Sequence, residues 1–168
     1  MATSQAQIKI GTTLKFNGEG DADVAFSMEG VTDGNGRVSA QYDLGLSPRN
    51  YLFNWYAEGL LQATPTAGTS IDFFVVGAPD IDSTMIAGDV GAADAALTGA
   101  EEIVNLLQIG SLVVDTADTS KQVTFGTFEH TSRYLSIVGI NNTGATINAT
   151  DSNFIFLVTL YNIQGQGT

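Results

Sequence analysis

A chain of 168 residues with 43% apolar content suits a single domain around a single hydrophobic core. Its 18 acidic against 6 basic residues, a net charge of −12, argue against binding a phosphate backbone, which needs Lys and Arg to displace counterions, and against adhesion to anionic membranes. It has no cysteine, which removes disulfides and thiolate metal sites.

Met1 to Gln7 has neither a basic nor an apolar stretch, so residues 1–7 are expected to form a flexible polar arm without a secretory signal, and the product to stay in a cytoplasm. From there the dominant period is two. Ile8, Ile10, Leu14 and Phe16 alternate with Lys9, Gly11, Thr13 and Lys15; Val24, Phe26 and Met28 alternate with Ala25 and Ser27; Val38, Ala40, Tyr42 and Leu44 alternate with Ser39, Gln41 and Asp43. Such alternation describes strands with one face on a core. Asp33-Gly34-Asn35-Gly36, between the second and third runs, has the residues of a tight hairpin turn and predicts a hairpin there.

Tyr51, Phe53, Trp55 and Ala57 line one side of the next run, with Leu52, Tyr56 and Leu60 on the other, until Thr64-Pro65-Thr66-Ala67-Gly68 breaks it. At period two the Tyr51–Trp55 stripe reads first as core and second as an exposed platform for sugar. Ile71 to Val76 is apolar on both faces, which predicts a central strand or one covered by another segment. From Gly77 to Ala100 the pattern collapses into Ala, Gly and Asp, a long loop with a capping box at Thr98 and Glu101 and a short helix over Ala100 to Leu106. Strands return over Ile109 to Asp115, Val123 to Glu129, Arg133 to Asn141 and Asn153 to Tyr161, the last apolar on both faces and so interior to its sheet. The expected architecture is all-β: an antiparallel β-sandwich, jelly-roll-like, with at most one short helix, its single domain spanning 8–163 with the loop at 77–100, followed by a flexible tail at 164–168.

Side-chain chemistry is sparse. His130 is the lone histidine, and its setting in Phe128-Glu129-His130-Thr131-Ser132-Arg133 predicts an exposed loop residue; no Gly-x-Ser-x-Gly elbow occurs. Glu58, beside Trp55 and Tyr56, is the single carboxylate among aromatics, and glycoside hydrolysis needs two. Asp21-Ala22-Asp23, Asp33-Gly34-Asn35 and Asp80-Ile81-Asp82 are fragments of calcium loops that do not continue to the required Gly and Glu. No catalytic residue, metal ligand or cofactor is therefore expected, with calcium the one ion left open. The sequons Asn141-Asn142-Thr143 and Asn148-Ala149-Thr150 read as incidental without a secretory signal. Charged residues are only 14%, against roughly 25% in an average domain, and a charge-poor surface suits repeated subunit contacts.

Two stretches carry a resemblance. One is Tyr51-Leu52-Phe53-Asn54-Trp55-Tyr56-Ala57 with Ala63 to Phe73; the other is Leu107 to Asp115 with Arg133-Tyr134-Leu135-Ser136-Ile137-Val138 and Asn141-Asn142-Thr143-Gly144. Together, over about half of the chain, they resemble small virion proteins of tailed bacteriophages, some of which are capsid decoration or cement subunits. The resemblance implies a non-enzymatic protein of the virion, assembled in the host bacterial cytoplasm, whose partners are the major capsid protein and copies of itself, with no nucleic acid and no membrane. Subunits of this kind are often trimeric, while nothing in this sequence shows symmetry. Candidate contact residues are Ala2, Thr3, Ser4, Gln5 and Gln7 in the arm, Asp80, Asp82, Asp89 and Asp94 in the loop, and Gln164 and Gln166 in the tail. A tail, neck or fibre component and a carbohydrate-binding sandwich module stand as the alternatives.

Overall fold

Successive side chains of a strand point to opposite faces, so alternating bulky and small residues fold into half-buried strands. The computed structural model describes residues 6–45, 51–78, 93–97, 106–115 and 120–165, and there the period-two runs are strands. In chain order these are β1 (Ala6–Asn17), β2 (Val24–Ala25), β3 (Gly36–Val38), β4 (Tyr42–Asp43), β5 (Tyr51–Gly59), β6 (Ser70–Ala78), β7 (Ala95–Ala96), β8 (Leu107–Val113), β9 (Gln122–His130), β10 (Tyr134–Asn142) and β11 (Phe154–Gly165). A 3-10 turn at Asp151–Asn153 precedes the last strand. The helix expected over Ala100 to Leu106, and its capping box, fall almost wholly outside the described residues.

The protein is an all-β sandwich of two packed, mostly antiparallel sheets. Sheet A has the order β2-β1-β11-β5-β9, and sheet B the order β7-β3-β10-β6-β8 with β4 also on β10. The chain crosses between sheets at β2–β3, β4–β5, β5–β6, β8–β9, β9–β10 and β10–β11, the kind of winding seen in jelly rolls. β11 lies between β1 and β5, and β6 between β10 and β8, as strands apolar on both faces require.

Between the sheets Phe16, Phe26, Phe53, Phe73, Phe154 and Phe156 are fully buried. Trp55 stacks on Phe156 with ring centroids 5.4 Å apart and meets Phe73 edge-on at 5.6 Å. Its indole reaches the side of the sandwich where β8 and β9 lie, and glycines give it room. A Cβ at Gly126 would stand 2.6 Å from its Nε1, and one at Gly110 would stand 2.5 Å from its Cζ2. A second cluster covers the outside of sheet B, where Val38, Val76, Ala78, Tyr134 and Val138 are packed by Ala95, Leu97 and Leu106 from the 77–106 excursion. The expectation that another segment covers β6 is thereby met.

Two expectations about this frame are corrected. The Asp33-Gly34-Asn35-Gly36 turn exists, with Gly34 at φ 76°, but it joins no hairpin: β2 pairs with β1 in sheet A and β3 with β10 and β7 in sheet B. The loop instead docks on the β10–β11 connection, where Gly34 N donates to Asn141 O at 2.7 Å and Gly144 N donates to Asp33 Oδ1 at 2.8 Å. Gln7 and Gln164, expected in the arm and the tail, pair with each other in the β1–β11 ladder beside Ala6 and Gly165, and residues 1–5 and 166–168 lie outside the described residues.

Candidate functional site

The outer face of sheet A concentrates apolar side chains around a neutral centre. On β9, Val123, Phe125, Thr127 and Glu129 point outward, and the register sets them against Glu58, Tyr56, Asn54 and Leu52 of β5. Beyond these lie Ile155, Leu157, Thr159 and Tyr161 of β11 and then Thr13 of β1. Phe125 is 83% exposed and Val123 59%. Bulk alone would turn both inward, but the inner position between them and Phe128 belongs to Gly126, which leaves space for the Trp55 ring. Thr13, Asn54, Tyr56, Phe125, Thr127, Leu157 and Thr159 rim a shallow depression of about 580 Å³, with no charged side chain among them. Its hydroxyls partly satisfy one another: Thr13 Oγ1 lies 2.8 Å from Thr159 Oγ1, and Asn54 Nδ2 donates to Tyr161 Oη at 3.1 Å.

His130 and Glu58, the two side chains with catalytic potential, both bond within the fold. His130 is 7% exposed at the end of β9, a correction to the exposed loop residue expected from its neighbours. Its Nε2 lies 2.9 Å from Tyr134 O, and because a carbonyl only accepts, Nε2 carries the hydrogen and Nδ1 the lone pair. Glu58 accepts from Tyr56 Oη at 2.8 Å and from Lys121 Nζ at 2.6 Å. Burial raises the Glu58 carboxyl, and the bonds from Lys121 and Tyr56 outweigh that, so it stays below its usual range. Trp55, 3% exposed, is core, and the sugar platform imagined on the Tyr51–Trp55 stripe is not on the surface at Trp55.

No protein-family model matches the chain, and no curated protein matches it.

Burial holds the His130 pKa below the usual value, against the smaller opposing pull of the Tyr134 carbonyl. The unfolded chain therefore binds the proton more readily, and stability rises with pH across this window. Its full benefit is present above about pH 6.5 and is lost as pH falls through the lower folded value. The Asp43 contribution is lost at lower pH still, since the bond from Arg133 holds its carboxyl down to about 2. Thermal unfolding between pH 7 and pH 5 should show a steeper loss for the native chain than for His130→Gln; parallel curves would remove His130 as the cause.

Among the expected contact residues, Asp94 is engaged inside the chain. Its Oδ1 accepts from Arg37 Nε and Nη2, each at 3.1 Å, and its Oδ2 accepts from Ser27 N at 3.2 Å and Ser27 Oγ at 2.5 Å. This bond set holds the β7 segment, whose Leu97 N donates to Gly36 O at 2.9 Å, against β3. Removing it by Asp94→Ala should cost about 1–3 kcal/mol in denaturant unfolding, since a partly buried guanidinium loses its carboxylate. Faster amide exchange at Leu97 should accompany the loss, and unchanged exchange would count against the tie.

Ala2, Thr3, Ser4, Gln5, Asp80, Asp82, Asp89 and Gln166 lie outside the described residues, and Gln7 and Gln164 are described as paired backbone. Asp21 and Asp23 bond Lys15, through its Nζ and its backbone N, and Asp33 takes Gly144 N. Among the described residues no three acidic or histidine side chains converge as a metal site. Sequence reasoning did not single out Val123 and Phe125, whose exposure depends on their place at the sheet edge.

Proposed function

We propose that this chain is a non-enzymatic structural subunit of a tailed-phage particle that decorates or cements the capsid by bridging major capsid subunits. The observation that carries this reading is the uncharged centre of the outer face of sheet A, with Phe125 83% and Val123 59% exposed, on a chain whose net charge is −12. Interface cores are depleted of charge and enriched in aromatic residues, and an exposed apolar face of this kind marks a contact surface. The resemblance, roughly over residues 50–77 and 107–161, points to the same class of protein. His130 and Glu58, engaged with Tyr134, Tyr56 and Lys121, support a role in which surfaces act rather than a reactive centre.

Each contact of such a subunit can be modest, since simultaneous engagement of several copies multiplies affinity. The test is quantitative mass spectrometry of density-purified particles from a lysate in which the chain is made. Recovery in fixed proportion to the major capsid protein is the expected result, and imaging of labelled chain then separates a head position from a tail, neck or fibre position. Recovery only in the particle-free supernatant would overturn the reading.

A further inference from the structure

Each sheet has one short edge and one long edge. β2 and β7, two residues each, end one side, while β9 with nine residues and β8 with seven end the other. Short edges, bulges, prolines and edge charges guard a sheet against pairing with another chain. β8 carries such a guard, a register shift against β6 between Phe73 and Phe74 beside Gly110 at φ 155°. β9 carries almost none. It pairs with β5 without a break from Tyr51↔His130 to Gly59↔Gln122, contains no proline, and has Glu129 as its single carboxylate. The exposed large hydrophobic side chains among the described residues, Leu107, Val113, Val123 and Phe125, all lie on these two long edges.

The geometry points to β9 as a homodimer seam in which two copies pair this strand antiparallel across a two-fold axis at Phe125. Directly opposite residues of an antiparallel pair share a face, so the axis must pass a residue that meets its own copy. Centred on Phe125, the register puts Phe125 against Phe125 of the second copy and Val123 against Thr127. It also sets Glu129 against Lys121 at both ends. Moving the axis to Gly126 would oppose Glu129 with Val123 and lose both charge pairs.

Charge selects a second copy as the occupant. Two chains of net charge −12 repel, and they can meet only where like charges do not face each other. The Phe125-centred seam meets that condition and adds two complementary pairs. Lys121 has a donor to spare: its ammonium has three hydrogens, of which Glu58 Oε1 takes one at 2.6 Å and Ser152 O another at 2.7 Å. A seam on a two-fold axis uses the same strand of both copies, so the assembly closes as a dimer rather than growing as a fibre. Joining the two A sheets lays the uncharged centres of their outer faces side by side.

Light scattering on the chain eluting from a sizing column is expected to give twice the 17.6 kDa chain mass across a range of concentrations. Phe125→Lys should elute as a monomer with an unchanged circular dichroism spectrum, because the side chain it replaces is 83% exposed. In this cysteine-free chain, Phe125→Cys should form a disulfide-linked dimer on mild oxidation, whereas Thr127→Cys should not, its two copies being four residues out of register. A monomeric native chain, a mass of three chains, or a dimer that survives Phe125→Lys would overturn the seam. Equal cross-linking of the two cysteine variants would overturn the register.

Discussion

Phe156→Ala is expected to cost about 4 kcal/mol, within the ~3–5 kcal/mol measured for removing a buried phenylalanine ring. Phe156 on β11 is fully buried and stands at the centre of the aromatic core. Its ring centroid lies 5.0 Å from Phe73, 5.4 Å from Trp55, 6.2 Å from Phe16 and 6.3 Å from Phe26. Those neighbours come from β1, β5, β6 and the segment after β2, so the cavity would open between both sheets and could not collapse around one strand. For a domain of this size the loss corresponds to a fall of roughly 8–16 °C in the thermal midpoint. Leu157, the next residue, faces outward and is only partly buried, so Leu157→Ala should cost less than about 1.5 kcal/mol. Urea unfolding of the two variants checks this, and equal losses would contradict the assignment of faces on β11.

Asn141→Ala should cost about 3 kcal/mol despite removing only a small polar group. Asn141 is fully buried at the end of β10, and its amide is used on both sides. Nδ2 donates to Val31 O at 2.9 Å and Ala145 O at 2.8 Å, while Oδ1 accepts from Thr143 N at 3.1 Å and Thr143 Oγ1 at 2.7 Å. The two carbonyls still find donors in the variant: Ile147 N stays on Val31 O, and the Thr143 hydroxyl, released from Oδ1, can turn to Ala145 O at 3.0 Å. The Thr143 amide does not, and a buried donor left without an acceptor costs about 1–3 kcal/mol beyond the bonds lost. The site also joins the Gly34 loop to the β10–β11 turn, so amide exchange at Gly34 and Gly144 should quicken together in the variant. A variant as stable as the native chain would show that the network is dispensable. The same residues read in the sequence as an incidental glycosylation sequon; their side chains are in fact structural.

Much of the fold is legible along the chain. Ile8 to Phe16, Tyr51 to Ala57, Ile71 to Val76 and Phe154 to Tyr161 all became strands of the expected kind, and Phe53, Trp55 and Ala57 went inward together. The break at Thr64 to Gly68 is a turn with Gly68 at φ 84°. The surface around Phe125 was not legible, since Val123 and Phe125 have the composition of a buried face. The burial of His130 was not legible for the converse reason: flanked by Glu129 and Thr131 it looks like a loop residue, yet its side chain falls on the inner face of β9.

The amino-acid order by itself determined that this chain forms strands, where they turn, and for most of them which side chains share a face, because alternation and turn chemistry act over a few residues. Tertiary structure alone decided which strands are neighbours, as with the runs on either side of Gly34, which joined different sheets. It also decided which strands are edges, which carboxylates meet which cations, and that Gly126 admits Trp55 and so leaves Phe125 outside. These depend on contacts between residues far apart in the chain, such as Ser27 and Arg37 with Asp94, or Asp43 with Arg133. A local hydrophobic pattern specifies a side chain's face but carries no information about the neighbour that face will meet.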